Sequence, residues 1–304
     1  MQSRNPMLRR ATEQAKADEG AGSGALAAEG RAAYDAATQS AAVATASADQ
    51  LQEMYDKSGP GAGAVRGGEV AMTLNDVIVK TALSFIVLLA GAVFGWVTAE
   101  SMPWLMFVSL FVGLGLGLAN AFKKQVSPPL VLLYALVEGV FLGAISQWYY
   151  QFAEANAAAA RAAGETSIPG NIVVQAVLGT LVAFGVMLFL YSSRIIKVNG
   201  TFMKVMMVAM VSYLVIALAS LVAAMFGVGE GFGFYGAGPL GIVLCLVGVG
   251  LAAFSLALDF ESITQAVRYG VPERESWRMA FGLMATLIWL YLEILRLLAI
   301  ISNR

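Results

Sequence analysis

The sequence predicts an all-α membrane protein in which seven transmembrane helices follow a polar N-terminal tail. Three observations lead to this prediction. Of 304 residues, 59% are hydrophobic and 13% are charged, whereas soluble domains have about 45–50% and about 25%. The mean hydropathy is +0.73. Seven apolar segments approach the roughly 20 residues that cross a bilayer, and basic residues concentrate in alternate loops.

The composition also excludes several function classes. The chain contains no histidine and one cysteine, so it offers no imidazole base, histidine metal ligand, intrachain disulfide or multi-cysteine zinc site. A net charge of -1 argues against a nucleic-acid partner, which requires a basic surface. Carboxylates and hydroxyls remain as the groups able to do chemistry.

Residues 1–75 are predicted to form a flexible cytoplasmic tail, and residues 76–304 the seven-helix transmembrane domain. The tail is rich in Ala, Gly and Ser and nearly lacks large apolar side chains between Ala11 and Ser47, so it cannot bury enough surface to fold alone. It holds 7 of the 19 basic and 9 of the 20 acidic residues. This acidic balance is unlike a polybasic arm that binds lipid.

The apolar segments place the helices, and Asn75 and Asp76 are expected as the N-cap and first-turn residues of the first one. Pro103 and Pro129 fall at predicted helix starts, where proline is tolerated. The predicted spans are Val77 to Val97, Pro103 to Asn120, Pro129 to Tyr149, Asn171 to Tyr191, Phe202 to Phe226, Pro239 to Ile263 and Met279 to Ile301.

The loop charges predict the orientation in the membrane. The second, fourth and sixth loops contain eight lysines and arginines, whereas the first, third and fifth contain only Arg161. Because basic loops stay inside, we expect a cytoplasmic N-terminus and a C-terminus outside, in a membrane that is expected to be the bacterial cell membrane.

Three carboxylates fall within the predicted spans: Glu138 in the third, Asp259 near the cytoplasmic end of the sixth, and Glu293 in the outer half of the seventh. A carboxylate at mid-membrane costs about 2.5–3.5 kcal/mol, so it needs a partner, a water-lined cavity or a function. Helix rise places them at about 13, 6 and 21 Å from the cytoplasmic face. They could therefore form a ladder of acidic groups across the bilayer.

Each carboxylate also has a structural alternative. Glu293 can pair with Arg296, three residues later on the same helix face. Asp259 can be an interfacial residue near Arg268, and Glu138 can be a neutral carboxyl bonded to a hydroxyl such as that of Tyr134. Without histidine, any titration near neutrality would have to come from such buried carboxyls.

Other motifs favour packing over chemistry. Gly113 and Gly117 in the second span form a small-xxx-small pair, typical of close helix packing. No nucleophile flanked by a base, phosphate loop or metal-ligand cluster is present in the sequence. The sequence therefore predicts a protein that is not an enzyme and has no cofactor or resident metal.

Taken together, the motifs resemble the Bax inhibitor/YccA family of transmembrane Bax inhibitor motif proteins. The resemblance rests on Glu138-Gly139 in the third span, FSLALDFESI around Asp259, and the final LEILRLLAII. It covers about residues 70 to 304. The opening RNPMLRR and the later MTLNDVIVKTA look like the actinobacterial-type branch.

The resemblance implies that six helices surround a central C-terminal helix, and that the protein leaks calcium, protons or other cations in a pH-sensitive way. In the family, a pair of aspartates on the sixth and seventh helices shares a proton. Asp259 matches the first aspartate, but Thr286 occupies the second position. A strict two-aspartate sensor therefore cannot form, because it depends on two like charges at close range.

Glu293 lies two turns from Thr286, about 10.5 Å along the helix, and is too far to share a proton with Asp259. We expect Asp259 to pair with the hydroxyl of Thr286 or Tyr291, with Glu138, or with an arginine of a cytoplasmic loop. The predicted ion pathway and pH sensor comprise Asp259, Glu138, Glu293, Thr286 and Arg296. The alternative function is a regulator that uses its tail to bind another membrane protein, such as a membrane-bound protease.

Overall fold

A computed structural model describes residues 70–123, 125–164, 171–231, 233–236 and 238–302. The predicted tail lies almost entirely outside these residues. Within them, seven helices are long and apolar enough to cross a membrane, which confirms the predicted fold class. The helices α1 to α7 span Leu74–Thr98, Trp104–Phe122, Pro128–Ala162, Ile172–Ser192, Gly200–Met225, Pro239–Arg268 and Ser276–Ser302.

The helix ends follow from local chemistry. The α1 helix begins after Thr73, whose hydroxyl accepts a hydrogen bond from the Asp76 backbone N–H at 3.2 Å. The Asp76 carboxylate accepts one from the Thr73 N–H at 2.8 Å, completing a capping box. The N-cap is therefore Thr73 and not Asn75, because the threonine hydroxyl reaches the free N–H three residues later.

The α3 helix differs most from its predicted span. It continues beyond Tyr149 to Ala162, giving 35 residues and a length of about 52 Å. This exceeds a hydrocarbon thickness of about 30 Å, so α3 projects beyond the membrane. The extension is rich in alanine, which has the highest helix propensity and needs no apolar face to stay helical.

Among the described helices, α1 and α3 pack most extensively against each other, and they do so through glycines. Gly91 and Gly95 of α1 and Gly139 and Gly143 of α3 each face a backbone carbonyl of the other helix. A Cβ at any of these positions would overlap that carbonyl oxygen, because it would lie closer than van der Waals contact allows. The absence of side chains therefore allows the two backbones to touch, as is typical of membrane helices.

The α7 helix packs mainly against α1, α3, α4 and α6. Its Met284, Leu290 and Leu295 are fully buried. Tyr213 of α5 also reaches α7 through a hydrogen bond to Glu293. A complete ring of six helices around α7 stays a prediction.

One end of the bundle is closed by polar contacts between segments distant in sequence. The Met72 N–H donates to Val271 O and the Glu273 N–H to Val70 O, both at 2.8 Å. Arg274 donates to Val126 O through two nitrogens, at 3.1 and 3.2 Å. The starts of α1, α3 and α7 therefore lie together. We call this the basic end, and its basic residues include Lys80, Lys123, Arg194, Lys197, Arg268, Arg274 and Arg278.

Candidate functional site

Asp259 lies where α6 packs against α7. A Cβ at Gly282 would be 3.7 Å from Asp259 Oδ1, and the Thr286 hydroxyl lies within hydrogen-bonding reach of the carboxyl. Asp259 Oδ2 is buried and has no hydrogen-bond partner among the described residues. The carboxyl thus has one hydroxyl beside it and one buried oxygen without a partner, which is costly for the charged form.

The Thr286 hydroxyl has two acceptors for one hydrogen. It donates to Gly282 O at 3.1 Å, and the Asp259 carboxyl lies beside it. A charged Asp259 can only accept from this hydroxyl, whereas a protonated Asp259 can donate to Thr286 while Thr286 donates to Gly282. The local hydrogen-bond pattern therefore depends on the proton on Asp259.

Among the described residues, no hydrogen bond or ion pair joins Asp259 to the other expected partners. The Tyr291 hydroxyl lies 2.6 Å from Ser146 Oγ. Glu138 faces α2, and the loop residue Arg274 bonds to Val126 O. Of the partners considered from the sequence, the structure places Thr286 beside Asp259.

Glu138 projects from α3 toward α2. A Cβ at Gly113 would lie 2.5 Å from Glu138 Oε2, and one at Gly117 would lie 3.3 Å from the Tyr134 ring. The two glycines therefore make room for polar side chains of α3, beyond the helix packing that the sequence indicates. Within the described part of the chain, we find no hydrogen bond to Glu138, from Tyr134 or any other residue.

Glu293 is 3% exposed and has several partners. Its carboxylate accepts from the Tyr213 hydroxyl at 2.8 Å and from the Trp289 indole N–H at 3.1 Å. Arg296 forms an ion pair with it at 3.4 Å, as their three-residue spacing predicts. The Arg296 guanidinium lies 4.7 Å from the centre of the Tyr235 ring, a geometry that favours a cation–π contact.

The sequence analysis missed Tyr213, Trp289 and Gly248 as members of this cluster. A Cβ at Gly248 of α6 would collide with the Tyr213 hydroxyl and lie 2.8 Å from the Glu293 carboxylate. The sequence carries no signal for Tyr213, because α5 is apolar all round; only the structure shows that its buried residues recur at seven-residue spacing, as Met206, Tyr213 and Ser220. This spacing marks the side of α5 that faces the bundle.

The three carboxylates lie at different helix contacts. Glu138 is between α3 and α2, Asp259 between α6 and α7, and Glu293 among α5, α6 and α7. In residues 70–302, apart from the gaps given above, no hydrogen bond or ion pair joins any two of them. A ladder of acidic groups stays a prediction, and no group of three metal-ligating side chains was found among the same residues.

Tyr213→Phe is expected to lower the free energy of unfolding by about 1 kcal/mol, because a hydrogen bond to the buried Glu293 is lost without a change in shape. Unfolding in mixed micelles measures this change. Tyr269→Phe is the matched control, since Tyr269 is 68% exposed. Equal losses in the two variants would contradict a stabilising role of the Tyr213–Glu293 bond.

Comparison with known protein families gives a match over nearly the whole chain. A family model described as Bax inhibitor 1 like matches residues 5–303, whereas a search of curated proteins gives no match. The match does not test the actinobacterial-type branch, which stays a prediction. Together with the seven apolar helices, it identifies an integral membrane protein. The chain belongs to the Bax inhibitor 1 like family.

Proposed function

We propose that the protein is a pH-sensitive cation leak channel or transporter, passing calcium, protons or both, and that intramembrane carboxylates gate it. The observation that supports this most is Asp259, whose buried Oδ2 lacks a partner among the described residues. An ionisable group that remains unsatisfied inside a membrane protein is expensive to keep, which favours a functional role.

The Asp259 contacts suggest how gating could work. The Asp259 carboxyl of α6 lies beside Gly282 and Thr286 of α7. A change in the charge of this carboxyl therefore alters the contact between the two helices. Thr286 can respond as donor or acceptor, and this replaces the second carboxylate that the family resemblance implies. In this proposal the Asp259 carboxyl and the Thr286 hydroxyl together sense pH, in place of a pair of aspartates.

Glu138 and Glu293 have different proposed roles. Glu138 lies beside Gly113 of α2 and has no hydrogen-bond donor among the described residues, so we assign it to the ion path. Glu293 is held by Tyr213, Trp289 and Arg296, so we assign it to the outer part of the path, with Arg296 as its counter-ion. The basic end is proposed to be cytoplasmic, in the bacterial cell membrane.

Flux in liposomes tests the proposal. We expect calcium or proton flux above that of empty vesicles, with a dependence on pH between about 6 and 8 that Asp259→Asn removes, because asparagine cannot exchange a proton. Glu138→Gln is expected to reduce the flux toward background. Glu261→Gln is the control, since Glu261 is bonded to Tyr191 and Gln265 outside the Asp259 site.

Two outcomes would overturn the proposal. The first is flux that equals that of empty vesicles at every pH. The second is flux that depends on pH in Asp259→Asn as it does in the unmodified protein.

A second function, regulation of another membrane protein, is favoured by one contact. The segment before α1 shares backbone hydrogen bonds with the α6–α7 loop, so a partner held by residues 1–69 would be tethered at this loop. Deleting residues 1–69 is expected to abolish co-purification of such a partner and to leave flux intact. Loss of flux together with retained partner binding would contradict this division.

A further inference from the structure

A long groove runs between α1 and α4. Its volume is about 1070 Å³, with walls lined by α1 from Leu74 to Trp96 and by α4 from Val173 to Ser192. The floor is formed by α7 and α3, including Leu283, Tyr291 and Ser146. Part of α7 therefore lines the groove, and the groove follows α1 over most of the length of that helix.

The length of the groove is close to the thickness of the hydrocarbon. From Leu74 to Trp96, α1 rises about 33 Å, close to the hydrocarbon thickness of about 30 Å. A lipid acyl chain that enters at one end could therefore lie along the groove through one leaflet.

The lining calls for an apolar occupant along most of its length. The groove hydroxyls of Ser146 and Thr180 are already satisfied, since Ser146 pairs with Tyr291 at 2.6 Å and Thr180 donates to Ala176 O at 2.8 Å. Most of the other lining side chains are aliphatic or aromatic. An occupant here needs no polar groups at mid-membrane, as is true of an acyl chain.

Thr81 is the exception, and it lies close to the basic end. Its hydroxyl oxygen is buried, lines the groove and has no hydrogen-bond partner among the described residues. Thr81 lies about 10 Å along α1 from Leu74, and its side chain tilts back toward the start of the helix, so its hydroxyl lies in the half of the groove nearer the basic end. An ester carbonyl there would accept the otherwise unsatisfied hydroxyl hydrogen.

The charges at the basic end match a phosphate. Ser192 and Thr264 line the groove there, and the exposed Arg194 and Arg268 follow them by two residues and by one helical turn. The acidic Glu261 nearby accepts a hydrogen bond from the Tyr191 hydroxyl at 2.9 Å. The two arginines therefore follow closely, in sequence, on residues that line this end of the groove, and a phosphate there would interact favourably with them.

We propose that the groove between α1 and α4 binds a phospholipid of the leaflet at the basic end, with one acyl chain along α7, an ester carbonyl on Thr81 and the phosphate near Arg194 and Arg268. The lipid covers the part of α7 that lines the groove. This site does not depend on the proposed ion flux.

Photocrosslinking tests the site in the full chain. The liposomes contain phosphatidylethanolamine and phosphatidylglycerol, with a trace of phosphatidylglycerol that carries a diazirine midway along one acyl chain. We expect adducts to concentrate on groove residues of α1 and α4. Leu181→Trp, which fills the groove, is expected to lower them about tenfold, as a 1.4 kcal/mol loss of affinity would.

Val182→Trp is the matched control. Leu181 lines the groove and Val182 does not, although both lie on α4 and are 60% and 64% exposed. Thr81→Val is expected to reduce the adducts while keeping the shape of the groove, and gel filtration checks that each variant is folded. Adducts spread evenly over α2 and α5, equal effects of Leu181→Trp and Val182→Trp, or protein–protein crosslinks at the groove would overturn the proposal.

Discussion

Gly143→Ala is expected to lower the free energy of unfolding by about 3 kcal/mol, the upper part of the range for overpacked cores. The added Cβ would collide with the Ala92 carbonyl oxygen and lie 2.7 Å from the Trp96 backbone nitrogen. Backbone atoms of α1 cannot rotate away as a flexible side chain can. The two helices must therefore separate, which also disturbs the contacts at Gly91, Gly95 and Gly139.

Denaturation in mixed micelles and the yield of monodisperse protein measure this effect. Gly115→Ala is the control, because a Cβ at this position of α2 has no neighbour within 4 Å. Its expected change is within about 0.5 kcal/mol. Equal stability of the two variants would show that α1 and α3 do not pack through their backbones.

Glu293→Leu is the substitution with the second large effect, and we expect it to destabilise the fold by about 3 kcal/mol. It leaves Arg296, whose side chain is 31% exposed, without its counter-ion. It also removes the acceptor of Tyr213 and Trp289. Most of the expected loss is the cost of the groups left unpaired, because removing one partner of a buried pair costs more than the pair contributes.

Two further variants separate these contributions. Glu293→Gln keeps an acceptor for Tyr213 and Trp289 but removes the charge, so its loss should be intermediate. The double variant Glu293→Leu, Arg296→Leu removes both charges and should recover part of the stability. If Arg296→Leu lowers the free energy of unfolding of Glu293→Leu as much as it lowers that of the unmodified protein, the two residues are not energetically coupled.

The sequence predicts the number and approximate bounds of the helices because hydrocarbon requires long apolar segments. It also predicts the Glu293–Arg296 pair, since a three-residue spacing fixes both side chains on one helix face. The extension of α3 to Ala162 escapes prediction because an apolar criterion detects only the part of a helix that lies in lipid. Family membership follows from the combined order of motifs.

The contacts between helices could not be predicted in the same way. Helices such as α5 are apolar all round, so periodicity does not reveal which face points inward. Tyr213 and Glu293 are 80 residues apart, and their contact depends on the rotation of α5 relative to α7. Likewise, Gly113 is identifiable as a packing residue, but the carboxyl that it accommodates depends on which helix is its neighbour.

The backbone hydrogen bonds at the basic end also determine how a force on the N-terminal segment reaches the helices. Val70 and Met72 are bonded to Glu273 and Val271, so the chain entering α1 is fastened to the connection between the helices of Asp259 and Thr286. The Lys80 ammonium, bonded to Glu273 Oε1 at 2.8 Å and to Ser276 at 2.7 Å, reinforces this attachment. A pull on the chain before residue 70 would therefore act first on the loop between α6 and α7.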